Sequence, residues 1–231
     1  MKLGVSLTSA HPGALPADGA RTIIDRARAA RDADLDSLSL GDHHSTPFPY
    51  YQAVPMIGRL TAEWGSDRPI GCLFLLPLWN PVLVAEMVGT LACLTDEPFI
   101  VQTGIGSGAG QFAAMGADPS RRGADLDESI RVIQALLSGD RVSSERFGFR
   151  EAVVNPRNAL AWLSQSVAEA RKVGFDLYSV MAYHRQMQQE LGLSDKETAH
   201  LMAKLGREAV RMIGDPSQVL IKVQTTDCLL Y

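Results

Sequence analysis

Short apolar runs alternate with segments of helical spacing along the first 138 residues, and no other feature of the chain constrains its fold as strongly. The runs are Leu3–Thr8, Leu35–Leu40, Pro69–Leu76 and Phe99–Thr103. Between them lie Asp18–Arg31, with Ile23, Ile24, Ala27 and Ala30 on one helical face, and Tyr50–Glu63, interrupted early by Pro55. Asn80–Pro81 reads as an N-cap with proline in the first turn, opening a helix over Val82–Leu94. Arg121–Leu137 is a long amphipathic helix stopped by Ser138–Gly139. Four β–α units in succession predict an α/β protein with a parallel sheet and helices packed outside it. The strands read as apolar on both faces, as a sheet covered on both sides requires. A doubly wound open sheet and a (β/α)8 barrel both fit. A barrel usually takes about 250 residues, and 231 residues fall short of that.

The second half is less regular. Arg141–Val154, with Phe147–Gly148–Phe149 inside it, predicts a hairpin or bulged loop. Leu160–Lys172 has helical spacing, Phe175–Met181 reads as a strand, and Ser194–Glu197 is a capping box opening a helix to about Met212. Gly214–Asp215–Pro216 stops that helix; Ser217–Val223 reads as a short helix and Asp227–Tyr231 as a final strand. The total is about six strands. The expected organisation is a single domain over 1–231, with a barrel half at 1–155 and a shortened second half at 156–231.

Charge and cysteine content narrow the classes of function. With 22 basic and 26 acidic residues the net charge is −4, which disfavours non-specific nucleic-acid binding. No long apolar window predicts a membrane span, and the N-terminal residues do not read as a secretory signal. Cys72, Cys93 and Cys228 are far apart and lack metal-ligand spacing. Reduced thiols in a cytoplasmic protein without a bound metal are the expectation.

Two constellations carry chemistry. Gly41–Asp42–His43–His44 follows the second predicted strand. Ligands of α/β folds sit at the carboxyl ends of strands, and histidine exchanges a proton near neutral pH. Asp42 would orient a ring or raise its pKa; the competing reading is an aspartate-capped turn with surface histidines. Gly104–Ile105–Gly106–Ser107–Gly108–Ala109–Gly110 follows the fourth strand, where glycines let backbone amides approach an anion closely. Gly108–x–Gly110–x–x–Ala113 also matches a dinucleotide fingerprint, but after the wrong strand and before a helix cut short by Gly116 and Pro119. His184 reads as the start of a polar helix, His11 as part of a turn and His200 as a solvated helix residue.

The stretches LDSLSLGDHHSTPF (35–48), IGCLFLLPLWNPVLVAEMVGTL (70–91), PFIVQTGIGSGAGQFAAMG (98–116) and RMIGDPSQVL (211–220) resemble the bacterial luciferase-like monooxygenase family, including its deazaflavin-dependent branch. The resemblance implies an incomplete TIM-type (β/α) barrel, a reduced FMN or deazaflavin coenzyme F-420, a small-molecule substrate and a homodimer. It places a catalytic histidine at His43 with the acidic Asp42 before it. It sets Gly104, Gly106, Ser107 and Gly108 near the cofactor's phosphate-bearing tail. It also aligns Cys72–Phe74 with a bulged segment behind the cofactor ring, with Leu73 as the contact. The implied activity is an oxidoreductase, either a monooxygenase using reduced FMN with oxygen or a deazaflavin hydride-transfer enzyme. Two alternatives remain at this point. One is a catalytically idle flavin-binding or dimer-partner protein lacking part of the barrel. The other is an open α/β enzyme holding a nucleotide on the glycine loop, for which a strand order of 3-2-1-4 is expected.

Overall fold

In a computed structural model, residues 2–156, 160–163, 178–182 and 192–224 are described. β1 (Lys2–Leu7), β2 (Ser37–Leu40), β3 (Ile70–Leu75) and β4 (Phe99–Gly104) alternate with α1 (Pro16–Asp32), α2 (Ala53–Trp64) and α3 (Pro81–Ala92). A short α4 (Ala109–Ala114) and the long α5 (Arg122–Ser138) follow β4. β5 (Val142–Ser144) and β6 (Phe149–Ala152) form an antiparallel hairpin, as Arg141–Val154 predicts. β7 (Leu160–Leu163), β8 (Tyr178–Ala182), α6 (Asp195–Ile213) and β9 (Val219–Gln224) complete the described elements.

Strand order decides between the two architectures. The main sheet runs β7-β4-β3-β2-β1-β9-β8, and every pairing in it is parallel. Consecutive strands are neighbours from β1 to β4, and the first strand lies beside the last described one. That is the order of a (β/α) barrel, and the 3-2-1-4 arrangement of an open nucleotide-binding sheet is absent from it. Seven parallel strands are described where about six were expected.

Two predicted helices are corrected. Leu160–Leu163 is a strand paired in register with β4, Phe99 facing Leu160 and Gln102 facing Leu163. Ladder pairing beside β4 overrides the helical spacing of that stretch. In Ser217–Val223 only one 3-10 turn, Pro216–Gln218, precedes β9; the Asp215 side chain accepts from the Ser217 amide at 2.8 Å. The following Val-Leu-Ile-Lys-Val run then pairs with β1. The predicted strand Asp227–Tyr231 and the helix beginning at His184 lie outside the described residues.

The two faces of the sheet differ. Val5, Leu7, Leu38, Leu40, Ile70, Cys72, Phe74, Phe99 and Val101 face the helix layer and pack with Ile23, Ile57, Trp64, Val84 and Val132. Alternation puts Gly4, Ser6, Ser37, Ser39, Gly71, Leu73 and Gln102 on the opposite, concave face. The expectation of strands apolar on both faces therefore holds for one face only: β2 is fully buried yet presents Ser37 and Ser39 inward. Gly71 is required there, because a Cβ would collide with the carbonyl of Ile100 on β4.

Candidate active site

Because the strands are parallel and in register, the loops after β1, β2, β3 and β4 emerge at one end. Leu7 pairs with Leu40, Leu40 with Cys72, and Leu75 with Gly104. The Asp42–His43–His44 loop and the glycine tract thus share the carboxyl-terminal end of the sheet.

The loop after β2 is pinned to the loop after β1. Ala10 and Tyr50 form an antiparallel bridge, the His11 amide donates to the Pro49 carbonyl at 3.0 Å, and the Tyr51 amide donates to the Ser9 carbonyl at 3.0 Å. Tyr51 reaches on to the Pro16 carbonyl through its hydroxyl. Asp42 is the centre of this end. Its Oδ2 accepts from the Leu75 amide at 2.8 Å and from the Trp79 indole N–H at 2.8 Å, tying the end of β2 to the turn Leu76–Leu78 after β3. Its Oδ1 faces Nε2 of His44 at 3.3 Å, without the alignment of a hydrogen bond. The His44 ring stands edge-on to Trp79 with centroids 5.1 Å apart.

His43 points elsewhere. It is half-buried, its ring lies 5.8 Å from that of Tyr50, and its carbonyl accepts from Gln52 Nε2 at 3.1 Å. Burial pushes its pKa below the usual 6.5; Asp42 opposes that shift and His44 adds to it. A neutral imidazole at neutral pH is a proton acceptor.

Gly104 closes β4 opposite Leu75. Gly106 has φ +74°, a backbone conformation that side-chain-bearing residues rarely adopt, and a Cβ there would stand a tight 3.2 Å from the Phe112 ring. Gly108 (φ +84°) and Gly110 have nothing within 4 Å of where a Cβ would stand, and Ser107 is exposed. α4 is only six residues long, and its Gln111 reaches back to the Ser107 carbonyl through Nε2. β3 runs in unbroken register with β4 from Gly71 to Leu75, so Cys72–Phe74 shows no bulge in the ladder. Of those three residues Leu73 faces the concave side, where it packs partly buried against the small cluster of Leu75, Leu78 and Phe112; Cys72 and Phe74 face the helices.

Four polar side chains at this end are more than nine-tenths buried and hold an atom without a hydrogen-bond partner. They are Ser9 (2% exposed, Oγ), Asp42 (6%, Oδ1), His44 (7%, Nε2) and Gln111 (6%, Oε1). Leaving such atoms dry is costly unless something engages them. Of these, Ser9 and Gln111, together with the indole of Trp79, escape sequence reasoning. Only the apolar run that positions Trp79 is visible there. His11 has a similarly buried Nε2, against Tyr51; its pKa is lowered first by burial and then by Arg26. His200 is exposed on α6, and His184 lies outside the described residues. Among the described residues no group of three or more His, Cys, Asp or Glu is placed to hold a metal ion, and no helix is long and apolar enough to cross a membrane.

The sequential parallel strand order defines a (β/α) barrel class that is shared with known proteins. The chain belongs to the luciferase-like monooxygenase family, whose model matches residues 1–161. The F420-dependent glucose-6-phosphate dehydrogenase of Mycolicibacterium gilvum (strain PYR-GCK) is 29% identical over 135 residues, 54% of this chain and 40% of that protein. The chain therefore spans less than half the length of that relative. Among solved structures, monooxygenase RslO1 from Streptomyces bottropensis matches with a TM-score of 0.71 at 14% identity, over 96% of this chain and 70% of that one. The oxygenating constituent of 3,6-diketocamphane monooxygenase from Pseudomonas putida, solved in complex with FMN, matches with a TM-score of 0.65 at 13% identity. That match covers 96% of this chain and 67% of the other. These likenesses establish the barrel fold.

Proposed function

We propose that the chain binds a reduced deazaflavin or flavin across its carboxyl-terminal end and serves an oxidoreductase acting on a small organic substrate. The carrying observation is that the half-buried His43, the buried Asp42 and His44 and the glycine tract share one end of the sheet, where Ser9 Oγ and Gln111 Oε1 are buried without a partner among the protein's own groups. The residues present fit such a group. Open space at Gly108 and Gly110 leaves room for a phosphate-bearing tail to approach the backbone of Gly104, Gly106, Ser107 and Gly108. Leu73 presents an apolar contact from the concave face, and Leu75, Leu78 and Phe112 around it keep water from the ring. The cofactor, when bound, supplies the electron pair. His43 accepts or returns the accompanying proton at its imidazole, and Asp42 opposes the burial that would otherwise depress its basicity further.

The deazaflavin takes precedence because the curated relatives near 30% identity are named for coenzyme F-420. FMN is the second reading, favoured by the FMN complex of a structural neighbour. The active form is read as a homodimer in the cytoplasm. Fluorescence titration with each cofactor is expected to give saturable binding of one; binding of neither overturns the proposal. His43→Ala is expected to leave that binding nearly intact and to cut reduced-cofactor turnover by about 100-fold or more, the usual contribution of a positioned acid–base group. Binding without turnover in the wild-type chain would instead identify a catalytically idle cofactor-binding protein.

A further inference from the structure

We propose that the two adjacent histidines have separate duties: His44 is a positioning residue that holds the Asp42 carboxylate toward the turn after β3, and His43 is thereby left as the proton-carrying imidazole. The inference rests on the assignment of His43 to the site, but it concerns this chain's own residues and is tested without a cofactor.

The geometry separates the pair. Asp42 and His44 lie two residues apart and share a side, while His43 between them turns toward Tyr50. The Asp42 side chain is 1% exposed and that of His44 is 7% exposed. A carboxylate so buried is tolerated when both its oxygens are engaged. Oδ2 is held by Leu75 and Trp79, and the polar atom facing Oδ1 is Nε2 of His44 at 3.3 Å. His44 in turn rests edge-on against Trp79, whose indole donates to the same carboxylate. Three side chains from the end of β2 and the turn after β3 thus close on one another. Without His44, Oδ1 loses its neighbour and the carboxylate is free to rotate toward His43. Among the described residues, the titratable groups acting on His43 are Asp42, which favours its charged form, and His44, which opposes it. Both consequences of removing His44 therefore push the His43 titration in one direction.

The test follows the His43 imidazole by NMR titration in five chains: wild type, His44→Gln, His44→Phe, Asp42→Asn and Asp42→Asn/His44→Phe. Glutamine keeps a donor for Oδ1 but no charge; phenylalanine keeps neither. The expected order of His43 midpoints is wild type, then His44→Gln, then His44→Phe, rising by several tenths of a pH unit across the series. Asp42→Asn is expected to lower the midpoint by more in the His44→Phe background than alone. A purely structural role for His44 would move stability without this order. Equal midpoints in the two His44 variants, or an additive effect of Asp42→Asn, overturns the proposal. Should His44→Phe fail to fold, His44→Ala, which also lacks both donor and charge, takes its place: a midpoint equal to that of His44→Gln overturns the proposal.

Discussion

At the amino-terminal end of the sheet, charged side chains pair with one another near the surface; at the carboxyl-terminal end, polar side chains are buried and several of their atoms make no hydrogen bond within the protein. Arg28 bridges Asp25 and Glu63, Arg59 joins Glu63, Arg31 pairs with Asp67, and Arg68 pairs with Asp34 while donating to the Leu35 carbonyl. The Leu3 amide donates to Asp36 at 2.6 Å, and Ser66 donates to Asp96. These groups are served by one another and by solvent. At the other end Ser9, Asp42, His44 and Gln111 are buried, each with one side-chain atom that makes no hydrogen bond within the protein. The difference teaches where the chemistry-bearing side chains gather: one end pairs its charges near the surface, and the other buries polar groups beside the two loops that the sequence singles out. Barrels divide stability and chemistry between their ends in this way.

Between the two ends lies the helix-facing layer, and the largest effect is expected there. Phe99 is fully buried on β4 within the main core. Phe99→Ala is expected to cost about 3–5 kcal/mol, the usual price of deleting a buried ring, measured as a fall in the urea midpoint. A cost as small as that of a surface change would mean the core does not continue through this layer, and the contrast between its two ends would lose its common frame.

Next comes the carboxyl-terminal end itself. Asp42→Ala strands the buried Leu75 amide and the partly buried Trp79 indole N–H. Orphaning buried donors costs about 1–3 kcal/mol. The variant is expected to be destabilised by that amount and to shift the Trp79 contribution to fluorescence, read as the difference from Trp79→Phe. Unchanged stability would show that Asp42 is not embedded as described, and the burial contrast would weaken. At the amino-terminal end Asp67→Asn is the counterpart. Asp67 is largely exposed and paired with Arg31, and such pairs add little. Its urea midpoint is expected to stay close to that of the wild type; a loss comparable to that of Asp42→Ala would erase the distinction between the ends.

Much of the frame was legible because it rests on local pattern. β1–β4, α1–α3 and α5 follow apolar runs and helical spacing, and Asn80 and Ser194 cap where their side chains predict: Asn80 Oδ1 accepts from Val82, and Ser194 exchanges bonds with Glu197. Leu160–Leu163 and Val219–Gln224 were misread because short apolar stretches fit either element, and pairing with β4 and β1 decides them. At the site, the place of Asp42, His43 and the glycine tract after their strands could be read from chain order. The partners of Asp42 could not: Leu75 and Trp79 stand 33 and 37 residues away. Nor does any local signal say that Ser9 and Gln111 are buried, or that β2 turns serines inward.

The smallest expected effect is the most discriminating, because the two ends should titrate in different windows. Burial holds the His43 pKa below its usual 6.5, so protonation favours the unfolded chain. Its contribution to stability is fully present above 6.5 and is lost as pH falls through the lower native value. Glu63 behaves as a carboxylate with the opposite chemistry and the same sign. Hydrogen bonds from Arg28 and Arg59 hold its pKa at about 2 instead of 4.5. Its contribution is intact above 4.5 and is lost only as pH falls toward about 2. A series of urea midpoints from neutral to acid pH is therefore expected to decline in two stages, the carboxyl-terminal end first. His43→Gln is expected to shrink the upper stage, to which His11 also contributes, without touching the lower one, and Glu63→Gln to shrink the lower stage, to which Glu128 also contributes, without touching the upper one. If both substitutions altered the same stage, the two ends would not be electrostatically separate, and the contrast between a surface-paired end and a buried polar end would fail.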